Sequence, residues 1–145
     1  CAIEARDRGG PAVAFQLLVY PVVEPAFDTG SYVAHASSPT LTRDDMIWYW
    51  RQFLPSGADD GSARAVPTRD SLAGLPRAHV VVAGLDPLRD EGAALASRFA
   101  KAGVASTLAE APSLPHGFLR AAPYAAAARS AQAALGAATR AALHG

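Results

Sequence analysis

The chain has 145 residues, half of them hydrophobic and 18% charged, and its 13 basic and 13 acidic side chains balance to zero. That composition belongs to an ordinary globular domain and excludes a disordered chain. The lack of net positive charge argues against nucleic acid or an anionic membrane surface as partner. A single Cys rules out an internal disulfide or a Cys-rich metal site and fits a cytoplasmic protein. No apolar run is long enough to span a bilayer.

In chain order, Cys1 to Arg8 reads as helix, with Glu4 and Arg8 as an i,i+4 pair and a stop at Gly9-Gly10-Pro11. It carries no N-cap signal, and an end without a beginning suggests a cut inside a larger protein. Val13 to Tyr20 is apolar except for Gln16, the pattern of a strand buried on both faces. Glu24 to Leu41 has turn composition and no period. Thr42 and Asp45 form a capping box. The helix they open carries Met46, Ile47, Trp50, Phe53 and Leu54 on one face, with Trp48 pointing elsewhere.

Pro55 to Arg69 reads as loop, and Leu72 to Leu75 as a short helical turn closed by Gly74 and Pro76. Ala78 to Gly84 is a second buried strand. Asp90 is expected to cap a helix with Leu95, Phe99 and Ala102 inward, and Val104 to Ala109 is a third strand. Pro112 to Ala122 reads as loop. Pro123 then starts an Ala-rich helix with Tyr124, Ala128, Ala131 and Leu135 on one stripe.

Alternating strands and helices are the grammar of an α/β fold with a mostly parallel sheet. Three strands cannot cover their own edges, so further strands are expected from sequence outside this chain.

Sites in such sheets form at the carboxyl ends of the strands. Asp86 lies just past the second strand, and His116 in the loop after the third. Parallel strands joined by one helix are usually neighbours, so these two residues should meet. An Asp that accepts from one imidazole nitrogen fixes the tautomer and leaves the other to take a hydroxyl proton. Alone, Asp86 is an Asp-Pro turn and His116 a loop His; their joint placement favours function. Asp90 and Glu91 are explained by capping and the helix dipole. His79 reads as structural, and His35 and His144 are given no role. Ser31, Ser37 and Ser38 lack a strand-turn-helix context for a nucleophile, and Cys1 lacks an activating partner.

Five segments occur in order: Phe15-Gln16-Leu17-Leu18-Val19-Tyr20-Pro21, Leu41-Thr42-Arg43-Asp44-Asp45-Met46, Leu72-Ala73-Gly74-Leu75-Pro76, Asp86-Pro87-Leu88-Arg89-Asp90-Glu91-Gly92 and His116-Gly117-Phe118. Together they resemble the C-terminal portion of a hormone-sensitive-lipase-type (bacterial family IV) esterase of the α/β-hydrolase superfamily. The resemblance implies a Ser-His-Asp triad with Asp86 as acid and His116 as base, acting on small hydrophobic esters without metal or organic cofactor. It implies that residues 1–23 and 63–145 belong to the hydrolase core and 24–62 to a cap-associated insertion. Trp48, Phe118 and Leu88 are then expected at the substrate, although ordinary packing explains Trp48 equally well. The chain holds no Gly-x-Ser-x-Gly, so the nucleophile and oxyanion loop are expected upstream of Cys1. The late strand could be an edge that pairs two copies into a homodimer. A peptidase or lactonase on the same triad stays open, as does a non-catalytic fragment or interaction module for these 145 residues alone.

Overall fold

The computed structural model describes residues 2–54, 66 and 71–144. Among the described residues, three parallel strands form one sheet in the order β1 (Gln16–Val19), β2 (Ala78–Leu85), β3 (Ser106–Pro115). Helix α1 (Ala2–Asp7) precedes β1. Helices α2 (Gly30–Ala34) and α3 (Arg43–Phe53) lie between β1 and β2, α4 (Arg89–Lys101) joins β2 to β3, and α5 (Ala126–His144) closes the chain. Leu18 pairs with Val80, and Val80 with Leu108.

The central strand explains the layering. Successive side chains of a strand point to opposite faces. Val80 and Val82 pack against Leu95 and Phe99 of α4, while Val81 and Ala83 pack with Ala128 and Leu135 of α5. Helices on both faces bury β2 completely as far as Gly84 except at His79, and each such Val contributes roughly 1.5–3 kcal/mol. A third cluster, Tyr32, Leu41, Met46, Trp50, Val66 and Leu88, gathers the segment between β1 and β2 over the start of α4.

Several sequence expectations are corrected. The first strand is shorter than Val13–Tyr20 and pairs on one side only among the described residues, leaving Leu17 39% exposed. A continuous apolar run records what faces the sheet could cover, not where ladder bonds begin. Within the stretch read as structureless, Thr29 caps α2, whose five residues are too few to show a period. The capping box of α3 forms as expected, but only Met46 and Trp50 of its face are buried, and Phe53 is 61% exposed. Asp90 does not cap α4. The N-cap position belongs to Leu88, which offers no side-chain bond, and Asp90 sits in the first turn.

The third strand runs on to Pro115, through residues expected as loop. Prolines are tolerated there because β3 lies at the sheet edge among the described residues, where an amide can face away from the ladder. The last helix starts at Ala126 rather than Pro123, and Tyr124 is 87% exposed instead of lying on the buried stripe. Leu72 to Leu75 forms a single hydrogen-bonded turn. The loop reading of Pro55–Arg69 and the helical reading of Cys1 lie outside the described residues, Val66 apart.

The β2–β3 register shifts between Ala83 and Leu85. At Gly84 the partner backbone comes so close that an added Cβ would lie 2.1 Å from the Pro112 carbonyl oxygen. Only glycine fits, because the obstacle is backbone and cannot rotate away. Gly84→Ala should therefore destabilise the protein by about 1–3 kcal/mol or more. Urea unfolding measures this, and an unchanged midpoint would contradict the close approach.

Candidate active site

The site is built where β2 and β3 end. Asp86 follows β2 directly and is fully buried, at 0% exposure. Its Oδ1 accepts from the Leu88 amide at 2.9 Å, and its Oδ2 meets His116 Nδ1 at 2.8 Å. Parallel pairing brings both ends to one edge of the sheet, so a residue just past β2 and one just past β3 become neighbours. Gly117, next to His116, has φ +73°, a left-handed conformation that turns the chain sharply into the short 3-10 helix Phe118–Ala121.

Tyr20 completes the surround of the imidazole. Its ring lies 4.5 Å from that of His116 and 5.4 Å from that of Phe118. It follows β1 directly in a left-handed conformation, φ +39°, which is strained for a bulky residue. The bond from its amide to the Val81 carbonyl holds it there. Burial pushes the Tyr20 phenol up; Arg120 opposes that shift and Asp86 adds to it.

His116 opens onto a cavity of about 950 Å³. Leu41, Met46, Trp50 and Phe53 form one wall, and Leu114 and Phe118 the other, with Arg120 as its only cation among the described residues. A largely apolar hollow beside a few polar groups is how small-molecule sites are made. Phe118, itself only 2% exposed, lines the cavity. Trp48 and Leu88 do not: Trp48 is 56% exposed and packs edge-on to Tyr49, and Leu88 is buried beneath Met46 and Trp50. Among the described residues no three His, Cys, Asp or Glu side chains converge as metal ligands, and no helix is long and apolar enough to cross a membrane.

Sequence reasoning missed the residues that support the pair. Glu91 is not a dipole ornament of α4 but a buried carboxyl, 3% exposed, whose Oε1 accepts from the Val23 amide at 2.8 Å. Burial raises its pKa to about 8, against the pull of the Val23 bond, and Glu24 and Asp86 reinforce the rise. Asp90 accepts from the Ser31 amide at 2.7 Å. Partial burial works to raise its pKa, but that bond and Arg89 outweigh burial and hold its carboxyl below the usual range. Tyr20 stands at a strand's carboxyl end, the one signal that could have flagged it.

Residues 1–120 match the family model for the alpha/beta hydrolase fold. The chain is 40% identical over 118 residues to the carboxylic ester hydrolase LipN of Mycobacterium tuberculosis, covering 80% of this chain and 31% of that protein. It is 37% identical over 120 residues to the carboxylesterase NlhH of the same organism, covering 79% of this chain and 37% of NlhH. This chain thus spans only about a third of the length of these curated relatives. Among solved structures, a thermostable esterase from Pseudomonas putida superposes with a TM-score of 0.87 at 35% identity, over 93% of this chain and 44% of the esterase.

The buried Glu91 makes stability depend on pH. Between about pH 4.5 and 8 the folded chain keeps a proton that the unfolded chain gives up, so stability falls as pH rises through that window. Glu91→Gln keeps an oxygen for the Val23 amide and cannot ionise. Its unfolding midpoint should match the parent's near pH ~5 and exceed it above about pH 8. Parallel midpoints across the range would show that Glu91 is not held protonated.

Proposed function

The chain belongs to the α/β-hydrolase fold family, and from that premise we propose that it is part of a serine carboxylesterase of the hormone-sensitive-lipase type. The observation that carries this reading is the buried Asp86 bonded to His116 at the mouth of an apolar cavity. Asp86 Oδ2 takes the Nδ1–H of His116, which places the lone pair on Nε2. A serine supplied by sequence N-terminal to Cys1 would give its proton to Nε2 as its oxygen attacks the ester carbonyl. His116 then returns the proton to the leaving alcohol, and a water repeats the cycle to free the acid. Asp86 stabilises the imidazolium that forms in each half.

The cavity supports small, hydrophobic esters as substrates, since its walls are aliphatic and aromatic. Residues 24–62 act in this reading as the cap-associated insertion, and 1–23 and 63–145 as core. The packing of Tyr32, Met46 and Trp50 over Leu88 supports that division. Phe118 is the substrate contact kept from the sequence reading. Leu88, buried beneath α3, supports the wall from behind.

In the full-length protein, Asp86→Asn and His116→Ala should each lower kcat on a p-nitrophenyl ester about a thousandfold or more with the fold intact by circular dichroism. Full activity in either variant would end the assignment. An ester-to-amide preference reversed in favour of amides would redirect it to a peptidase.

A further inference from the structure

The turn that presents Asp86 is closed from within by the Arg89 amide, which donates to the Asp86 carbonyl at 3.1 Å, and is held from outside by Ser31. Its Pro87–Leu88 peptide is gripped at both ends: the Leu88 N–H donates to Asp86 Oδ1 at 2.9 Å, and the Pro87 carbonyl accepts from the Ser31 hydroxyl at 2.6 Å. One rigid plane therefore links Ser31 to the Asp86 carboxyl. Ser31 is fully buried at 0% exposure, in the first turn of α2. Its hydroxyl also accepts from the Asp90 amide at 3.2 Å, and its own amide donates to Asp90 Oδ2 at 2.7 Å. Ser31 and Asp90 thus clasp each other reciprocally on either side of the turn. Ser38 adds a bond to the Leu85 carbonyl just before it, at 3.1 Å.

We propose that Ser31, clasped by Asp90, is a positioning residue for the reaction: it fixes the Pro87–Leu88 peptide plane and through it the angle at which Asp86 meets His116. This rests on the triad reading above and adds to it a residue that touches no substrate. Catalytic groups lose rate steeply when displaced, and a misplacement of about 1 Å can cost a hundredfold. Removing the hydroxyl leaves the Pro87 carbonyl without its partner in a buried place and frees the plane to tilt. The cavity wall lies elsewhere on the 24–54 segment, so substrate binding should not change.

The test uses the full-length enzyme with p-nitrophenyl butyrate, each rate divided by the number of active sites counted by end-point fluorophosphonate labelling. Ser31→Ala and Asp90→Ala should lower kcat per site about ten- to a hundredfold with KM little changed. Asp90→Asn keeps an oxygen for the Ser31 amide and should restore most of the rate. A merely structural role would instead reduce the number of sites and leave kcat per site at the parent value, which would overturn the proposal. Should Ser31→Ala fail to fold, the Asp90 pair decides alone, because that side chain is about one-third exposed and tolerates change. His116→Ala separates the two claims. If it keeps the parent rate, the triad reading falls; if it loses the rate while both alanine variants keep it, only the positioning role falls.

Discussion

Burying a carboxyl group completely costs free energy unless its oxygens find hydrogen-bond donors, and the arrangement around Asp86 answers that demand. One oxygen takes a backbone amide two residues on, and the other takes His116. The amide is local to the turn, but His116 comes within reach only through the parallel β2–β3 pairing, the close approach at Gly84 and the left-handed Gly117 beside it. The candidate chemistry and the local fold therefore rest on the same bond. An imidazole held by a buried acceptor has one tautomer and one orientation, which is what a general base requires.

Around that bond the molecule sorts polar and apolar work between its two sides. Beneath the turn, Ser31, Ser38, Asp90 and Glu91 send side-chain bonds between the 23–38 segment and the residues that flank Asp86. Above it, the same segment continues into α3, whose Met46 and Trp50 face the cavity. One stretch of chain thus braces the acid and shapes the cavity wall. Tyr20 contributes from β1, where a strained backbone presses its ring against His116. Strain of this kind persists only where surrounding structure over-determines it, and it gathers at functional sites.

Much of this was legible in the sequence because it depends on short-range chemistry or on strand order. The Thr42–Asp45 capping box is a local device and forms as read. The meeting of Asp86 and His116 follows from two apolar strands and a helix between them. What escaped the sequence depends on contacts between distant segments. Ser31 reaches Pro87 across 56 residues, and Glu91 reaches Val23 across 68, so no local pattern announces either. The extension of β3 through Pro112 depends on its lying at an edge, which is a property of the sheet and not of the strand. Helical period alone places Phe53 and Tyr124 on buried stripes. The structure leaves both largely exposed at the cavity rim, because one ends its helix and the other precedes its own.

The central claim is that Asp86 and His116 activate a serine supplied by the rest of the protein. The most direct measurement is fluorophosphonate labelling of the full-length protein, followed by peptide mapping of the modified residue. The account predicts one label per chain, on a serine N-terminal to Cys1. No label, or a label on a serine within residues 1–145, would contradict it.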